Sequence, residues 1–162
     1  MSARRPPPRH RFARWMYRGG RPNRVARVLN RIAAWQFRHG ILTFGGRAIT
    51  LEVRGRRSGR AVTFPLVLVA HDGGEYLVAM LGESAQWVRN VRSDHGVATV
   101  VGRQRRPVLL TEVPVDQRAP VLRRFTQLAP GGRPHIPVDR GAPLEAFEGI
   151  AARYPTFRVH DR

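Results

Sequence analysis

Residues 48–70 read Ala48-Ile-Thr-Leu-Glu-Val-Arg-Gly55-Arg-Arg-Ser-Gly59-Arg-Ala-Val-Thr-Phe-Pro65-Leu-Val-Leu-Val-Ala70. From Ala48 to Arg54, Ile49, Leu51 and Val53 alternate with Thr50, Glu52 and Arg54, the period of a strand with one buried face. Gly55 to Arg60 breaks the pattern, and residues 62–70 form a second, more fully apolar strand. His71-Asp72-Gly73-Gly74 is a turn, so Glu75 to Leu81 becomes a third strand and completes a hairpin.

Outward from this segment, Ser84 is placed to cap a short helix carrying Trp87, Val88 and Val91. Gly96 to Val101 and Pro107 to Val113 read as two more strands. Asp116 is placed to cap a helix with Val121, Leu122 and Phe125, residues 143–153 form another with Leu144, Phe147 and Ile150, and Phe157-Arg158-Val159 offers a closing strand. Five short strands without regular strand–helix–strand alternation predict a mainly β, α+β chain: a small antiparallel barrel with helical additions, not a doubly wound sheet. Upstream, residues 1–21 combine Pro6-Pro7-Pro8, seven Arg and Gly19-Gly20, the composition of an extended tail. Pro22 then opens a helix in which Val25, Val28, Leu29, Ile32 and Trp35 recur at helical spacing and Gly40 offers a stop. Residues 22–162 thus form a single domain behind a basic tail at 1–21.

At 162 residues the chain fits one domain, long enough to bury roughly two thirds of its unfolded surface. It has no cysteine, which excludes disulfides, thiolate metal sites and cysteine nucleophiles. The six histidines are scattered without paired ligand spacing, so no metal site is expected. All 29 basic residues are Arg, and the formal net charge is +18. Residues 1–60 carry 16 Arg against the single acid Glu52, whereas residues 61–162 carry 13 Arg against 10 acids. A localised arginine field attracts phosphates, carboxylates, nucleic acid or an anionic membrane surface. No apolar run approaches the roughly 20 residues of a membrane span, and Arg11 and Arg14 interrupt any signal-peptide core, so the chain reads as cytoplasmic. The basic arc of the 22–39 helix leaves a peripheral contact with an anionic membrane open.

The first candidate for chemistry is Gly55-Arg56-Arg57-Ser58-Gly59-Arg60. Its glycines allow close backbone approach, and its hydroxyl and guanidinium donors suit an oxyanion. It lacks the gap and the Gly-Lys-Ser/Thr ending of a Walker loop. An ordinary basic hairpin turn has the same composition. Pro65 interrupts the strand ladder by its missing donor, as happens at a sheet edge or beside a ligand.

The order Leu51-Glu-Val-Arg-Gly-Arg-Arg-Ser-Gly59, Pro65-Leu66, Asp72-Gly73-Gly74, Val78-Ala79, Trp87 with Asn90, and Val97-Ala-Thr-Val-Val101 resembles the deazaflavin (F420)-dependent nitroreductase and quinone reductase family, continuing loosely to Ala151-Ala-Arg-Tyr-Pro-Thr-Phe-Arg-Val159. The resemblance implies a split β-barrel of the FMN-binding kind that holds coenzyme F420, whose phosphate and oligoglutamate tail are anionic. FMN is the alternative coenzyme. It places Arg56, Arg57, Ser58 and Gly59 on the phosphate and tail, and Pro65, Ala79, Leu81, Gly82, Gln86, Trp87 and Asn90 around the ring. The implied activity is hydride transfer from the reduced coenzyme to a small-molecule electron acceptor, a quinone, enone or nitro compound, in a protein for which a homodimer is an available assembly. Leu81 stands where nitro-reducing members carry Ser, and residues 130–147 lack their aromatic wall, which points away from nitro substrates. Two other readings are a non-catalytic deazaflavin- or FMN-binding module and a basic nucleic-acid-binding protein. The second rests on charge alone, since Phe12, Trp15, Tyr17, Trp35 and Phe37 follow no recognised stacking motif.

Overall fold

The computed structural model describes residues 47–162, so the basic tail and the amphipathic helix expected over 22–39 lie outside the described residues. These residues build seven strands: β1 (Ala48–Arg54), β2 (Ala61–Val67), β3 (Val69–His71), β4 (Gly74–Val78), β5 (Val97–Val101), β6 (Arg105–Glu112) and β7 (Thr156–Asp161). Among the described residues three α-helices accompany them: α1 (Gln86–Ser93), α2 (Ala119–Leu128) and α3 (Leu144–Glu148). All neighbouring strands are antiparallel, in the order β2-β1-β5-β6-β7-β4-β3.

The two edges of this sheet, β2 and β3, are consecutive in the chain and separated by Leu68 alone. Because one residue spans only about 3.5 Å, the edges must meet and the sheet must curl on itself. Closure is therefore made by covalent continuity through Leu68, whose N–H continues the β1–β2 register by donating to the Arg47 carbonyl at 2.7 Å, instead of by a ladder between the edge strands. That is a split β-barrel. It also accounts for the doubly apolar run expected as one strand over 62–70: Phe64, Leu66 and Leu68 pack on the barrel interior, while Val67 and Val69 belong to a second cluster.

The barrel interior holds Ile49, Leu51 and Val53 of β1, Leu77 of β4, Ala98 and Val100 of β5, Val108 and Leu110 of β6, and Phe157 and Val159 of β7, plugged by Trp87, Val88 and Val91 of α1. The second cluster packs Val121, Leu122 and Phe125 of α2 and Phe147 of α3 against Val69 and Val78.

Several local expectations are corrected. Among the described residues the closing strand at Phe157–Val159 is present as β7, the run at 62–70 is divided at Leu68, giving seven strands, and the third strand stops at Val78 instead of Leu81. There the Ala79 N–H donates to the Pro155 carbonyl and the chain bends to Gly82, at φ +70°. Ser84 does not cap α1. Its hydroxyl donates to the Leu81 carbonyl at 3.1 Å within a 3-10 turn at Gly82–Ser84, and Ala85 precedes the helix. Asp116 likewise sits in a 3-10 turn, Val115–Gln117, leaving Arg118 before α2. The helix expected over 143–153 ends at Glu148, because Gly149 is a weak helix former, and resumes as a 3-10 turn at Ala151–Arg153.

Candidate functional site

The β4–β7 ladder ends at the pair Val78 and Thr156. Beyond it the Ala79 N–H still donates to the Pro155 carbonyl at 2.9 Å, but Pro155 has no N–H to donate in return, so the regular ladder stops there. A cleft of about 310 Å³ opens there, lined by Met80, Leu81 and Gly82 after β4, by Arg153 and Tyr154 before β7, and by His135. His135 comes from a 3-10 turn at Arg133–His135, and the Tyr154 hydroxyl donates to its carbonyl at 2.8 Å. Gly82 presses on the opposite lip, since a Cβ there would lie 2.9 Å from the Arg153 carbonyl oxygen. The Arg153 guanidinium carbon lies 5.8 Å from the centre of the Tyr154 ring.

The Gly55–Arg60 segment is a tight turn. The Gly55 N–H donates to the Arg60 carbonyl and the Gly59 N–H to the Gly55 carbonyl, both at 2.8 Å, while the Arg60 N–H donates to Ser58 Oγ at 3.3 Å. Gly59 has φ +66°, a backbone conformation that favours glycine, and a Cβ on Gly55 would lie 2.7 Å from Ser58 Oγ, which would have to turn aside. Arg56 is half-buried and reaches helix α1, where Asn90 Oδ1 accepts from its Nη1 at 2.8 Å and from its backbone N–H at 3.4 Å. Asn90 is only 3% exposed, so that oxygen's partner comes from the turn. Arg57, Ser58 and Gly59 are exposed.

Charge is distributed unevenly. Among the described residues, ion pairs engage Arg92, Arg105, Arg106 and Arg118, and none engages Arg54, Arg56, Arg57, Arg60, Arg89 or Arg153. Glu52, the only acid of the first sixty residues, is taken by Arg105 at 2.6 Å. Below the cleft, Arg92 of α1 binds Glu83 at 2.6 Å and Glu112 of β6 at 2.7 Å, and Glu112 also binds Arg118 at 3.0 Å. The Arg92 hydrogen bond holds the Glu83 carboxyl below its ordinary value against the opposing effect of desolvation, and that same bond, with a second to Glu112, raises the Arg92 guanidinium further.

The residues nominated from the sequence fall into three groups. Arg56 and Asn90 are brought into contact, with Arg57, Ser58 and Gly59 beside them on the turn. Leu81 and Gly82 line the cleft, with Gln86 half-buried at the start of α1. Ala79 and Trp87 are in the barrel core, the indole centroid 5.3 Å from that of Phe157, and Pro65 sits on β2 opposite Thr50. Sequence reasoning passed over Met80, His135, Arg153 and Tyr154. A usable signal for the last two was Tyr154-Pro155 at the head of the final strand, where a missing N–H forces the ladder to stop. His135 carries no comparable signal.

The described residues thus form a split barrel with an arginine-rich, glycine-bounded turn on one side and an open cleft at a ladder end. Residues 29–144 match the F420H(2)-dependent quinone reductase family, and the chain belongs to that family. It is an F420H2-dependent reductase whose coenzyme is F420. No curated protein sequence is similar enough to the chain to match it. Among solved structures, one described as an F420-H2 dependent reductase is 19% identical, covers 70% of this chain and 94% of its own, and has a TM-score of 0.50. A second, described as a domain-swapped dimer, is 18% identical over 84% of this chain and 96% of its own, with a TM-score of 0.52. A conserved hypothetical protein from Mycobacterium tuberculosis is 16% identical over 74% of this chain and 76% of its own, also at 0.52. At these identities the likeness concerns the fold.

The donor set fits the coenzyme. Its phosphate and oligoglutamate tail are anionic, and the turn offers guanidinium groups without carboxylate partners. Among the described residues, no helix is long and apolar enough to cross a membrane and no group of three His, Cys, Asp or Glu residues could hold a metal ion.

Proposed function

We propose that the chain binds F420 through the Gly55–Arg60 turn and reduces a quinone or enone at the cleft beyond the β4–β7 ladder. The observation that carries this reading is the turn itself: Arg56, Arg57 and Arg60 stand together on a glycine-bounded turn without carboxylate partners among the described residues, and Arg56 is tied to Asn90 of α1. Unpaired guanidinium groups held in a folded turn suit an oxyanion.

In this reading Arg56, Arg57 and Ser58 capture phosphate and tail. Asn90 accepts from one end of the Arg56 guanidinium and so aims the rest of it, fixing the turn to the helix whose N-terminal approach carries Leu81 and Gly82. These two residues form the lip beside the ring, and Gln86 faces the same approach. Ala79 and Trp87 act from behind, because the packing of Trp87 on Phe157 sets where α1 begins. Pro65 sits in a non-hydrogen-bonded pair with Thr50, so its missing N–H leaves the open edge of β2 without a donor there. When bound, the reduced coenzyme supplies a hydride. The cleft's volume lies at the small end of ligand pockets, about 300–1,000 Å³, enough for a flat acceptor. A homodimer is the assembly we adopt, since one similar structure is described as a domain-swapped dimer; light scattering on the full chain tests it.

Titrating F420 and FMN into the purified protein, with coenzyme fluorescence as the readout, tests the main reading. Arg56→Ala and Arg57→Ala are each expected to weaken F420 binding by about 1.5–3 kcal/mol, the worth of a charge-assisted hydrogen bond. They should leave the affinity for the ring without its phosphate and tail nearly unchanged. Equal F420 affinity in the wild type and in the doubly substituted protein would remove the turn from the site.

A further inference from the structure

We infer that Arg153 is a catalytic residue of this reductase: its guanidinium holds the acceptor oxygen on which negative charge appears as a quinone or enone is reduced. This rests on the reading that the cleft beyond the β4–β7 ladder is where the acceptor is reduced. Of the six residues lining that cleft, Arg153 is the only one with a permanent charge. Its side chain is exposed and has no carboxylate partner among the described residues.

Its base is fixed. The 3-10 turn Ala151–Arg153 is pinned where Arg118, itself 5% exposed, donates from Nη1 to the Ala151 carbonyl at 3.4 Å. The Arg153 carbonyl is backed by Gly82, and the following Tyr154 is tied to His135 through its hydroxyl. The turn is therefore held on three sides. The cation lies 5.8 Å from the centre of the Tyr154 ring, along the wall of the opening. On a fixed backbone, a guanidinium without a carboxylate partner is free to turn its charge toward a ligand in the cleft.

The chemistry needs such a charge. Adding a hydride to a quinone puts two electrons and one proton on it and produces a hydroquinone monoanion, with the new negative charge on an oxygen; a proton from solvent then completes the hydroquinone. An enone passes through the corresponding enolate. A guanidinium stays protonated throughout, so Arg153 serves as an electrostatic anchor for that oxygen and not as the proton source. The acceptors it selects are those whose oxygen becomes anionic on reduction.

The experiment compares wild type, Arg153→Ala and Arg153→Lys in the full chain loaded with coenzyme, using menadione as acceptor. Arg153→Ala should lower kcat/KM for menadione by about 100-fold or more, the effect of removing one donor at a developing oxyanion. F420 affinity should be unchanged, the lysine variant should recover part of the loss, and millimolar guanidinium should restore part of the activity of the alanine variant. A second readout needs no turnover: protein loaded with oxidised coenzyme should bind an anionic hydroxynaphthoquinone more tightly than menadione, and Arg153→Ala should abolish that preference. An unchanged kcat/KM, or a loss matched by an equal loss of F420 affinity, overturns the inference while leaving the proposed function intact. Wild-type protein that binds no F420, or binds it and does not reduce menadione, overturns the reading of the site and the inference with it.

Discussion

Gly82 holds a left-handed backbone, φ +70°, at a point where a side chain would begin 2.9 Å from the Arg153 carbonyl oxygen. Left-handed backbone at an alanine costs about 1–2 kcal/mol, and the backbone oxygen opposite cannot swing aside as a side chain could. Gly82→Ala is therefore expected to lower stability by about 2–4 kcal/mol, adding a steric contribution to the strain, and to weaken coenzyme binding by moving the lip; urea unfolding and F420 titration measure the two. Gly73 supplies the contrast, with φ +67° and open space around it, so Gly73→Asn, a residue that tolerates this conformation, should stay within about 1 kcal/mol of wild type. Arg56 and Asn90 should behave as one unit: a double-mutant cycle with alanine at each, read in F420 affinity, is expected to show a coupling of about 0.5–3 kcal/mol, and strict additivity would mean that Asn90 does not aim the cation. Arg56, Asn90 and Gly82 were legible because landmark residues occur in a fixed order. Arg153 was not, because its closeness to Gly82 depends on the register of two strands some seventy residues apart in the chain.

Helix α1 is held on two sides of its C-terminal half, by Asn90 toward the turn and by Arg92 toward β6 and the Glu83 bend. Glu83, on the bend that carries the cleft lip, enters folding with its pKa lowered from an ordinary 4.5 by the Arg92 hydrogen bond. A lowered folded-state value means stability present above the unfolded value and lost as pH falls through the folded one. Glu83→Gln should thus be less stable than wild type near neutral pH and indistinguishable from it well below pH 4.5, as thermal unfolding across that range will report. The Glu83 side chain is 57% exposed, so solvent screening keeps the difference below about 1 kcal/mol. A deficit that persists unchanged in acid would show that the ion pair is not its source. The strands of this region were legible wherever one face is buried, since alternation is then forced. The helix starts were not, because Ser84 and Asp116 have the chemistry of caps but are consumed by 3-10 turns just ahead of α1 and α2. The division at Leu68 was hidden by the same apolar run that revealed the strand.

Two hydrophobic clusters could have made two independently folding units, and the alternation along β4 argues against it: Leu77 points into the barrel while its neighbour Val78 points to the helical layer. Leu68 and Val69, at the closure, divide between the clusters in the same way. Opening the barrel therefore removes the floor under α2, and stripping α2 exposes the outer face of the strands that close the barrel. Leu51 and Leu122 are fully buried, one in each cluster. Leu51→Ala and Leu122→Ala should each cost about 2–5 kcal/mol by losing buried surface and leaving a cavity. Because the two side chains share no cluster, the double variant should lose the sum to within about 0.5 kcal/mol. In every case urea unfolding followed by far-UV circular dichroism and by tryptophan fluorescence should give one coincident transition. If Leu122→Ala instead shifts only the dichroism curve and leaves the fluorescence of the Trp87 environment behind, the helical layer melts on its own, and the cleft, whose Tyr154 belongs to that layer while Leu81 packs on the barrel core, would open before the fold is lost.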